Sequence, residues 1–459
     1  MNLESLKNIY FIGIGGIGMS ALARYFLFHG KKVGGYDRTP TSLTDKLIEE
    51  GADIHYEDDI HKIPDCFKDK KETLIIYTPA IPSNHTEFTF FQKNQFNLKK
   101  RAEVLGLITH SHKGLCIAGT HGKTTTSTIL AHLLHQSHIG CNAFLGGISK
   151  NYDTNLLLSK TSPYAVIEAD EYDRSFHWLT PYIAVITSME PDHLDIYGSE
   201  KAYRESFEKF TSLIRPKGVL LLKEGLALSP QVAKEVRIFT YSLHKGDYHT
   251  ENIIIDKGEI FFDFITPKGK IEKIQLGVPI AINIENSIAA MTVATLIGLS
   301  LEEIKQGIES YQGVDRRFDF QIKTPDLVFL NDYAHHPAEV RQSISSIKQL
   351  YPNKKITGIF QPHLYSRTQS FYKEFAESLS LLDKVILLDI YPAREEPIEG
   401  VSSRLIYEAL NPATEKTLIK KEDLLDAIAK EPIEVLITLG AGDIDAFVPK
   451  ITNILTNRL

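Results

Sequence analysis

Short apolar runs recur along this chain and alternate with longer stretches in which apolar residues return every three or four positions. Runs of the first kind predict buried parallel strands, and stretches of the second kind predict helices that pack on them. The run at residues 115–118 precedes the periodic stretch 129–134, and two more runs follow at 164–168 and 183–187. The pattern therefore predicts an α/β protein built on parallel sheets.

The same alternation of apolar runs and periodic stretches divides the chain into three sections. The first opens with a strand at residues 8–12, a glycine-rich turn and an apolar helix, which is the start of a βαβ unit. The second contains alternating short strands at residues 253–276, which predict a small antiparallel meander. We expect a Rossmann-like N-terminal domain, a central P-loop ATPase-type parallel sheet with this antiparallel addition, and a Rossmann-like C-terminal domain. The predicted domains are 1–105, 106–317 and 318–459.

Composition narrows the possible function classes. The 459 residues are 43% hydrophobic and 24% charged, as in a soluble globular protein, and the net charge of −7 disfavours binding to nucleic acid or anionic membranes. No apolar run approaches the roughly 20 residues of a membrane-spanning helix, and the first residues lack the pattern of a signal peptide. The three cysteines are not spaced for a metal. We therefore expect a cytoplasmic protein without nucleic-acid or membrane partners.

The most informative stretch reads G-T-H-G-K-T-T and lies between a predicted strand and a predicted helix. This layout presents backbone N–H groups and the positive end of a helix to a polyphosphate. The lysine adds a mobile positive charge, and the threonine that follows it can bind Mg²⁺. Only two residues separate its glycines, fewer than in the usual phosphate loop. The predicted nucleotide contacts are Gly119, Thr120, His121, Gly122, Lys123, Thr124 and Thr125.

The two apolar runs after this loop end in the acidic segments E-A-D-E-Y-D and E-P-D-H-L-D. Each segment alone could be a solvated loop. Ligands of open α/β sheets bind at the carboxyl ends of strands. We expect the two strands to be neighbours, with Glu168 and His193 placed to meet the phosphates and the Mg²⁺ held by Lys123 and Thr124. The carboxylate is the more typical ligand, because Mg²⁺ prefers oxygen.

Near the N-terminus, glycines in the spacing G-x-G-G-x-G follow the first strand, and an aspartate lies about 20 residues further on. This motif places a diphosphate over a helix N-terminus, so either a dinucleotide or a UDP-sugar satisfies it. An NAD-dependent oxidoreductase is therefore one hypothesis, although it gives no role to Lys123 and Thr124. The predicted contacts are Gly13, Gly15, Gly16, Gly18 and Asp37.

The last section also gathers polar, aromatic and basic residues where its predicted strands end, in D-Y-A-H-H-P and Q-P-H-L-Y-S-R-T. Such a face predicts ligand binding. A histidine pair alone does not indicate a metal. Beside Arg367, the pair is better explained as part of a site for an anion or a carboxylate.

The motifs G-x-G-G-x-G, G-T-H-G-K-T-T, E-P-D-H-L-D, G-V-D-R-R-F, D-Y-A-H-H-P and F-Q-P-H-x-Y-S-R-T occur in this order along essentially the whole chain. Together they resemble the motifs of the Mur ligases of peptidoglycan synthesis. The first and last motifs are most similar to those of the member that adds alanine. Phe207 agrees with this, because it stands where several later-acting members carry a lysine.

The resemblance implies an enzyme that uses ATP and Mg²⁺ to join L-alanine to the lactyl carboxylate of UDP-N-acetylmuramate through an acyl phosphate. The N-terminal domain would hold the UDP part, the central domain ATP and Mg²⁺, and the C-terminal domain would close over both and bring L-alanine. The catalytic residues would be Lys123, Glu168, His193 and Arg317. Further implied contacts are Asn283, Asn286, Arg317 and Asp332 with the nucleotide, and Tyr333, His335 and Arg367 with the amino acid.

Three positions depart from the family pattern. Ile282 replaces a histidine before the central helix, Ser188 replaces an asparagine before E-P-D-H, and Leu364 replaces an arginine in F-Q-P-H. These changes concern single contacts of the nucleotide or the substrate. A ligase that attaches a ready-made peptide to the same sugar nucleotide is the alternative within the class, and the last motif favours free alanine.

Overall fold

A computed structural model describes residues 3–78, 81–82, 84–192, 194–393 and 395–458. These residues form two compact units. The first consists of residues up to 252 with 262–274 and 284–312, and the second of 253–261, 275–283 and 313 onward. Among the described residues, no helix has the length and apolar character needed to span a bilayer.

The first unit begins with a parallel five-stranded sheet whose central strand is buried along its whole length. The glycine-rich loop follows this strand, and the next helix begins at Ile17. The predicted βαβ start is therefore confirmed. The strands are β1 (Asn8–Ile12), β2 (Lys32–Tyr36), β3 (Asp53–His55), β4 (Thr73–Tyr77) and β5 (Asn97–Lys100), in the order β3-β2-β1-β4-β5. The helices are α1 (Ile17–Phe28), α2 (Ser42–Glu49), α3 (Thr86–Lys93) and α4 (Arg101–Ser111).

A seven-stranded sheet follows, and all its pairings are parallel except that of β7 with β8. Its strands are β6 (Lys113–Ala118), β7 (Asn142–Ser149), β8 (Thr154–Leu157), β9 (Tyr164–Glu168), β10 (Pro181–Ile186), β11 (Val219–Lys223) and β12 (Arg237–Tyr241), in the order β12-β11-β10-β6-β9-β7-β8. Its helices are α5 (Lys123–His135), α6 (Leu194–Tyr197) and α7 (Glu200–Thr211).

The strand order corrects one expectation. The strands that end in the two acidic segments, β9 and β10, are not neighbours, because β6 lies between them. Apolar runs predict that strands are buried but carry no information on their order in the sheet. The observed order places the loop after β6 between the two acidic strand ends.

The predicted meander is present as β13 (His249–Asp256), β14 (Glu259–Thr266) and β15 (Gly269–Gln275). Two-residue connections join these strands, as is possible only for antiparallel neighbours. The helices α8 (Ala281–Ile297) and α9 (Leu301–Ser310) follow. Because α8 begins at Ala281, Asn283 and Asn286 both lie in its first two turns.

The sheet of the second unit has five parallel strands and one antiparallel edge strand, Asp319–Lys323, which the sequence pattern did not predict. Its strands are β16 (Asp319–Lys323), β17 (Val328–Asp332), β18 (Ile356–Phe360), β19 (Lys384–Leu387), β20 (Glu415–Leu418) and β21 (Val435–Leu439), in the order β16-β17-β21-β18-β19-β20. Its helices are α10 (Pro337–Leu350), α11 (Tyr365–Leu379), α12 (Arg404–Ala409), α13 (Leu424–Lys430) and α14 (Val448–Thr456).

A buried polar group lies in the core of the first sheet. The Tyr10 hydroxyl donates to Glu87 Oε2 at 2.7 Å and lies 2.8 Å from His55 Nε2, which is 3.2 Å from Glu87 Oε1. Burial raises the pKa of Glu87 from 4.5 to about 8, although the hydrogen bond from Tyr10 opposes that rise. The folded protein therefore favours a protonated Glu87.

We expect stability to depend on pH through this carboxyl. Its contribution is complete below pH 4.5 and is lost as the pH rises through about 8, because ionisation leaves a buried charge. In the variant Glu87→Gln, which cannot ionise, this loss should be absent. Thermal unfolding midpoints at pH 5 and pH 8.5 measure it, with the exposed Glu49→Gln as control. Equal pH dependence in Glu87→Gln and wild type would contradict the assignment.

Candidate functional site

The predicted phosphate loop connects the end of β6 to α5. Gly122 is the residue that precedes the helix, and Lys123 is its first residue. Gly119 has a φ of +137°, and a Cβ added there would overlap the hydroxyl of Thr187. Only glycine therefore fits this position, for reasons of both conformation and space.

The end of β10 holds the loop in place through hydrogen bonds. The Thr187 hydroxyl donates to the His121 carbonyl at 2.5 Å, and the His121 N–H donates to Ser188 Oγ at 2.7 Å. The Thr120 hydroxyl lies 2.8 Å from that of the buried Tyr203. Ser188, which departs from the family pattern, thus contacts the loop backbone directly.

Lys123 extends back across the loop and pairs with a buried acid. Its ammonium donates to the Gly119 carbonyl at 2.7 Å and to Glu171 at 2.8 Å and 3.0 Å. Glu171 is only 1% exposed, so burial raises its pKa, and the charge of Lys123 offsets part of the rise. Since breaking a buried pair leaves an uncompensated charge, Glu171 restrains the lysine strongly. Sequence reasoning did not single out Glu171 from the acidic segment around it.

The predicted metal ligands Thr124 and Glu168 lie together. The Thr124 hydroxyl donates to Glu168 Oε1 at 3.1 Å. A hydroxyl and a carboxylate fit Mg²⁺, which takes few protein ligands and completes its shell with water and phosphate oxygens. Within the described ranges, no group of three His, Cys, Asp or Glu side chains could hold a metal ion. His193 lies outside the described residues, so its role stays a prediction.

A cavity of about 330 Å³ is lined by both the N-terminal glycine loop and this acidic strand end. Its lining includes residues 16–18 and Arg101, together with Gly146, Glu168 and Asp170. Glu168 therefore contacts the phosphate loop and also lines a cavity that the glycine loop lines.

The predicted ribose contact, Asp37, supports the glycine loop. Its Oδ2 accepts a hydrogen bond from the Gly15 N–H at 2.6 Å, and its Oδ1 accepts one from the Thr39 N–H at 3.3 Å. The Gly13 N–H donates to the Tyr36 carbonyl at 2.8 Å. These bonds set the path of the backbone, and contact of Asp37 with a ribose stays a prediction.

Of the two predicted asparagines, Asn286 lies at the phosphate loop. Its side-chain oxygen accepts a hydrogen bond from Thr126 at 3.2 Å and lies against Gly122. Asn283 belongs to the second unit, where its amide donates to the Val278 carbonyl at 3.3 Å.

In the second unit, Asp332 ends β17 and is buried. Its carboxylate accepts hydrogen bonds from the Ser343 hydroxyl and, at 3.3 Å, from the Phe318 N–H. Burial raises the pKa of Asp332, which these bonds and Arg317 oppose. The guanidinium of Arg317 lies 5.2 Å from the centre of the Tyr333 ring.

The predicted amino-acid contacts gather at the ends of β17 and β18. His335 Nδ1 lies 2.9 Å from the Tyr333 carbonyl, and its ring centre is 6.1 Å from that of His363. Arg367 Nη1 lies 3.3 Å from His363 Nδ1. Burial lowers the pKa of His335, and burial with the charge of Arg367 lowers that of His363 to about 4. Both rings are therefore neutral at pH 7.

His363 is absent from the predicted set of site residues, although it lies between two members of that set. Its position directly after a buried strand was the available signal. Its ring stacks on Tyr391 at 5.7 Å, where β19 has ended.

Family models match three stretches of the chain. Residues 8–113 match the "Mur ligase family, catalytic domain", residues 117–294 the "Mur ligase middle domain", and residues 316–442 the "Mur ligase, glutamate ligase domain". The chain belongs to the Mur ligase family. The resemblance and the α/β fold expected from the sequence are thus confirmed.

Relatives of this Mur ligase match along its whole length. The UDP-N-acetylmuramate–L-alanine ligase of Phocaeicola vulgatus is 64% identical and is aligned over 100% of both chains. That of Parabacteroides distasonis is 58% identical, over 100% of this chain and 99% of the relative. The crystal structure of the UDP-N-acetylmuramate–alanine ligase of Thermotoga maritima is 26% identical, with a TM-score of 0.81 over 98% of this chain and 100% of that chain.

The substitution Gly146→Ala tests the position of Glu168 in this Mur ligase. A Cβ at residue 146 would overlap the Glu168 carboxylate, so Gly146→Ala should displace it from Thr124. We expect turnover to fall by about 10²-fold, in the range for the loss of one preorganised electrostatic contact, and more Mg²⁺ to be needed for half-maximal rate. Steady-state kinetics at varied Mg²⁺ measure both effects.

A double variant provides the control. If Gly146 acts through the carboxylate, Gly146→Ala should cost little more in a Glu168→Ala background, because residues that share one interaction are not additive. Fully additive losses would place the effect of Gly146 elsewhere. An unchanged thermal midpoint of Gly146→Ala verifies that the fold is retained.

Proposed function

We propose that this Mur ligase joins L-alanine to the lactyl carboxylate of UDP-N-acetylmuramate, with ATP converted to ADP and phosphate. One observation carries the proposal. Glu168 accepts a hydrogen bond from Thr124 of the phosphate loop and also lines the cavity that residues 16–18 line. A sugar nucleotide held by the glycine loop can therefore extend toward a nucleotide held by the phosphate loop.

The first step needs this arrangement. A carboxylate is a poor electrophile, so its oxygen first attacks the γ-phosphate of ATP, which gives an acyl phosphate and ADP. Lys123 and the first N–H groups of α5 stabilise the negative charge on the transferred group. A bound Mg²⁺ would add positive charge there, with Thr124, Glu168 and the predicted ligand His193 as its protein ligands. The chain supplies position and charge rather than a covalent nucleophile.

In the second step, the amine of alanine attacks the acyl carbon and phosphate leaves. We assign the alanine carboxylate to Arg367, whose planar guanidinium can donate two parallel hydrogen bonds. Tyr333 and His335 complete this site, and the neutral His335 is able to accept a proton. Arg317 and Asp332 are proposed contacts of ATP.

The two alternatives are less well supported. An oxidoreductase would have no use for the buried pair of Lys123 and Glu171 at a phosphate loop. A ligase for ready-made peptides would share the fold, but the relatives that match at 64% and 58% identity carry the name of the alanine-adding enzyme.

Release of ADP tests the function directly. The protein is incubated with ATP, Mg²⁺ and UDP-N-acetylmuramate, and with L-alanine, glycine, L-serine or a tripeptide that begins with L-alanine. We expect the highest kcat/KM with L-alanine, and a loss of about 10²–10³-fold in Lys123→Ala, which lacks one preorganised charge. Turnover with the tripeptide but not with alanine would contradict the proposal.

Arg367→Lys tests the amino-acid site. Lysine keeps the charge but loses the bidentate geometry, so we expect the apparent KM for L-alanine to rise about 10-fold or more. The KM values for ATP and UDP-N-acetylmuramate should change little. Arg341→Lys, on the surface pair with Glu377, is the matched control. A change in the KM for ATP alone would move Arg367 to the phosphates.

A further inference from the structure

Among the described residues of the first unit, Arg101 has no protein partner for its charge. It is the first residue of α4 and is half-buried. Within the part of the chain that the structure describes, its guanidinium has no hydrogen bond or ion pair. Its neighbours differ, because Lys99 pairs with Glu103 at 2.7 Å and Lys100 with Asp173 at 3.3 Å. A half-buried guanidinium with five free donors is a strong site for an anion.

The guanidinium of Arg101 lies against the glycine loop. A Cβ added to Gly18 would overlap Arg101, so the side chain lies directly on the backbone of the first turn of α1. In that turn the N–H groups of Met19 and Ser20 donate to the Gly16 carbonyl, whereas those of Ile17 and Gly18 come too early for an acceptor within the helix. Among the described residues, no side chain caps the helix at Gly16. Arg101 and residues 16–18 all line the same cavity.

The lining of the cavity carries charges of both signs. Arg101 and the positive end of α1 contribute positive charge, while Glu168 and Asp170 contribute negative charge. The most highly charged part of a sugar nucleotide, its diphosphate, is attracted by the first group and repelled by the second.

We propose that Arg101 binds the diphosphate of the sugar nucleotide, together with the N–H groups at the start of α1. This inference rests on the proposed function and adds a specific contact to it. The planar guanidinium donates two parallel hydrogen bonds to a phosphate. Gly18 leaves room for this guanidinium, which a larger residue at that position would displace. The third glycine of the motif therefore has a second role here, besides close packing of helix and strand.

Calorimetric titration with three ligands tests the contact. UDP and UDP-N-acetylglucosamine contain the diphosphate but no lactyl carboxylate, and UDP-N-acetylmuramate contains both. Arg101→Ala should weaken all three by about 10- to 100-fold, as for the loss of hydrogen bonds to a charged group. Arg101→Lys should recover part of the loss, and binding of ATP should not change. The control Lys100→Ala removes the same charge one residue away and should bind the three ligands normally.

Two outcomes would overturn the inference. Weaker binding of UDP-N-acetylmuramate alone would assign Arg101 to the carboxylate, and unchanged binding of all three ligands would remove it from the site. Thermal midpoints of the variants verify that each is folded. The proposed function is tested separately by ligation of L-alanine in the wild-type protein. If UDP binding depends on Arg101 but no alanine is ligated, the inference stands and the proposed function is wrong.

Discussion

The position of β6 between β9 and β10 is the constraint on which the site of the first unit depends. The register pairs Ile186 with Ala118 and Ile117 with Glu168, so the three strands end at nearly the same level. The loop that leaves β6 therefore has polar strand ends on both sides. Hydrogen bonds from the β10 side fix its backbone, and carboxylates from the β9 side bind its lysine and threonine. A different strand order would leave the same motif without these supports.

Positive groups are concentrated at the candidate site, although the chain as a whole carries a net negative charge. The net charge of −7 would repel nucleotides at long range, yet the cavity and the loop present Lys123, Arg101 and the positive ends of two helices. The acids Glu168 and Glu171 lie close to Lys123 and Thr124. The buried Glu171 thereby limits the freedom of Lys123, and a lysine that is already ordered loses less entropy when it binds a phosphate.

The sequence was sufficient to predict most of the fold and the strand, loop and helix that form the candidate phosphate site. Apolar runs that end at Ala118 and Glu168 locate two strand ends, and glycines with a lysine identify the phosphate loop. Strand order was not predictable, because it depends on contacts between distant segments. The buried Glu171 could not be separated from the other acids of its segment by residue type. Nothing in the sequence around Arg101 indicates that its side chain lies against Gly18, 83 positions earlier in the chain.

Gly18 and Gly146 illustrate why such contacts escape motif analysis. Glycine in a motif usually indicates a turn with positive φ, but neither residue has a positive φ. In both cases the missing side chain makes room for a charged group, Arg101 in one and Glu168 in the other. These two groups line the same cavity. An added methyl group at either glycine would therefore move a charge without removing it. The places of these two charges in the cavity thus depend on two positions that carry no functional group of their own.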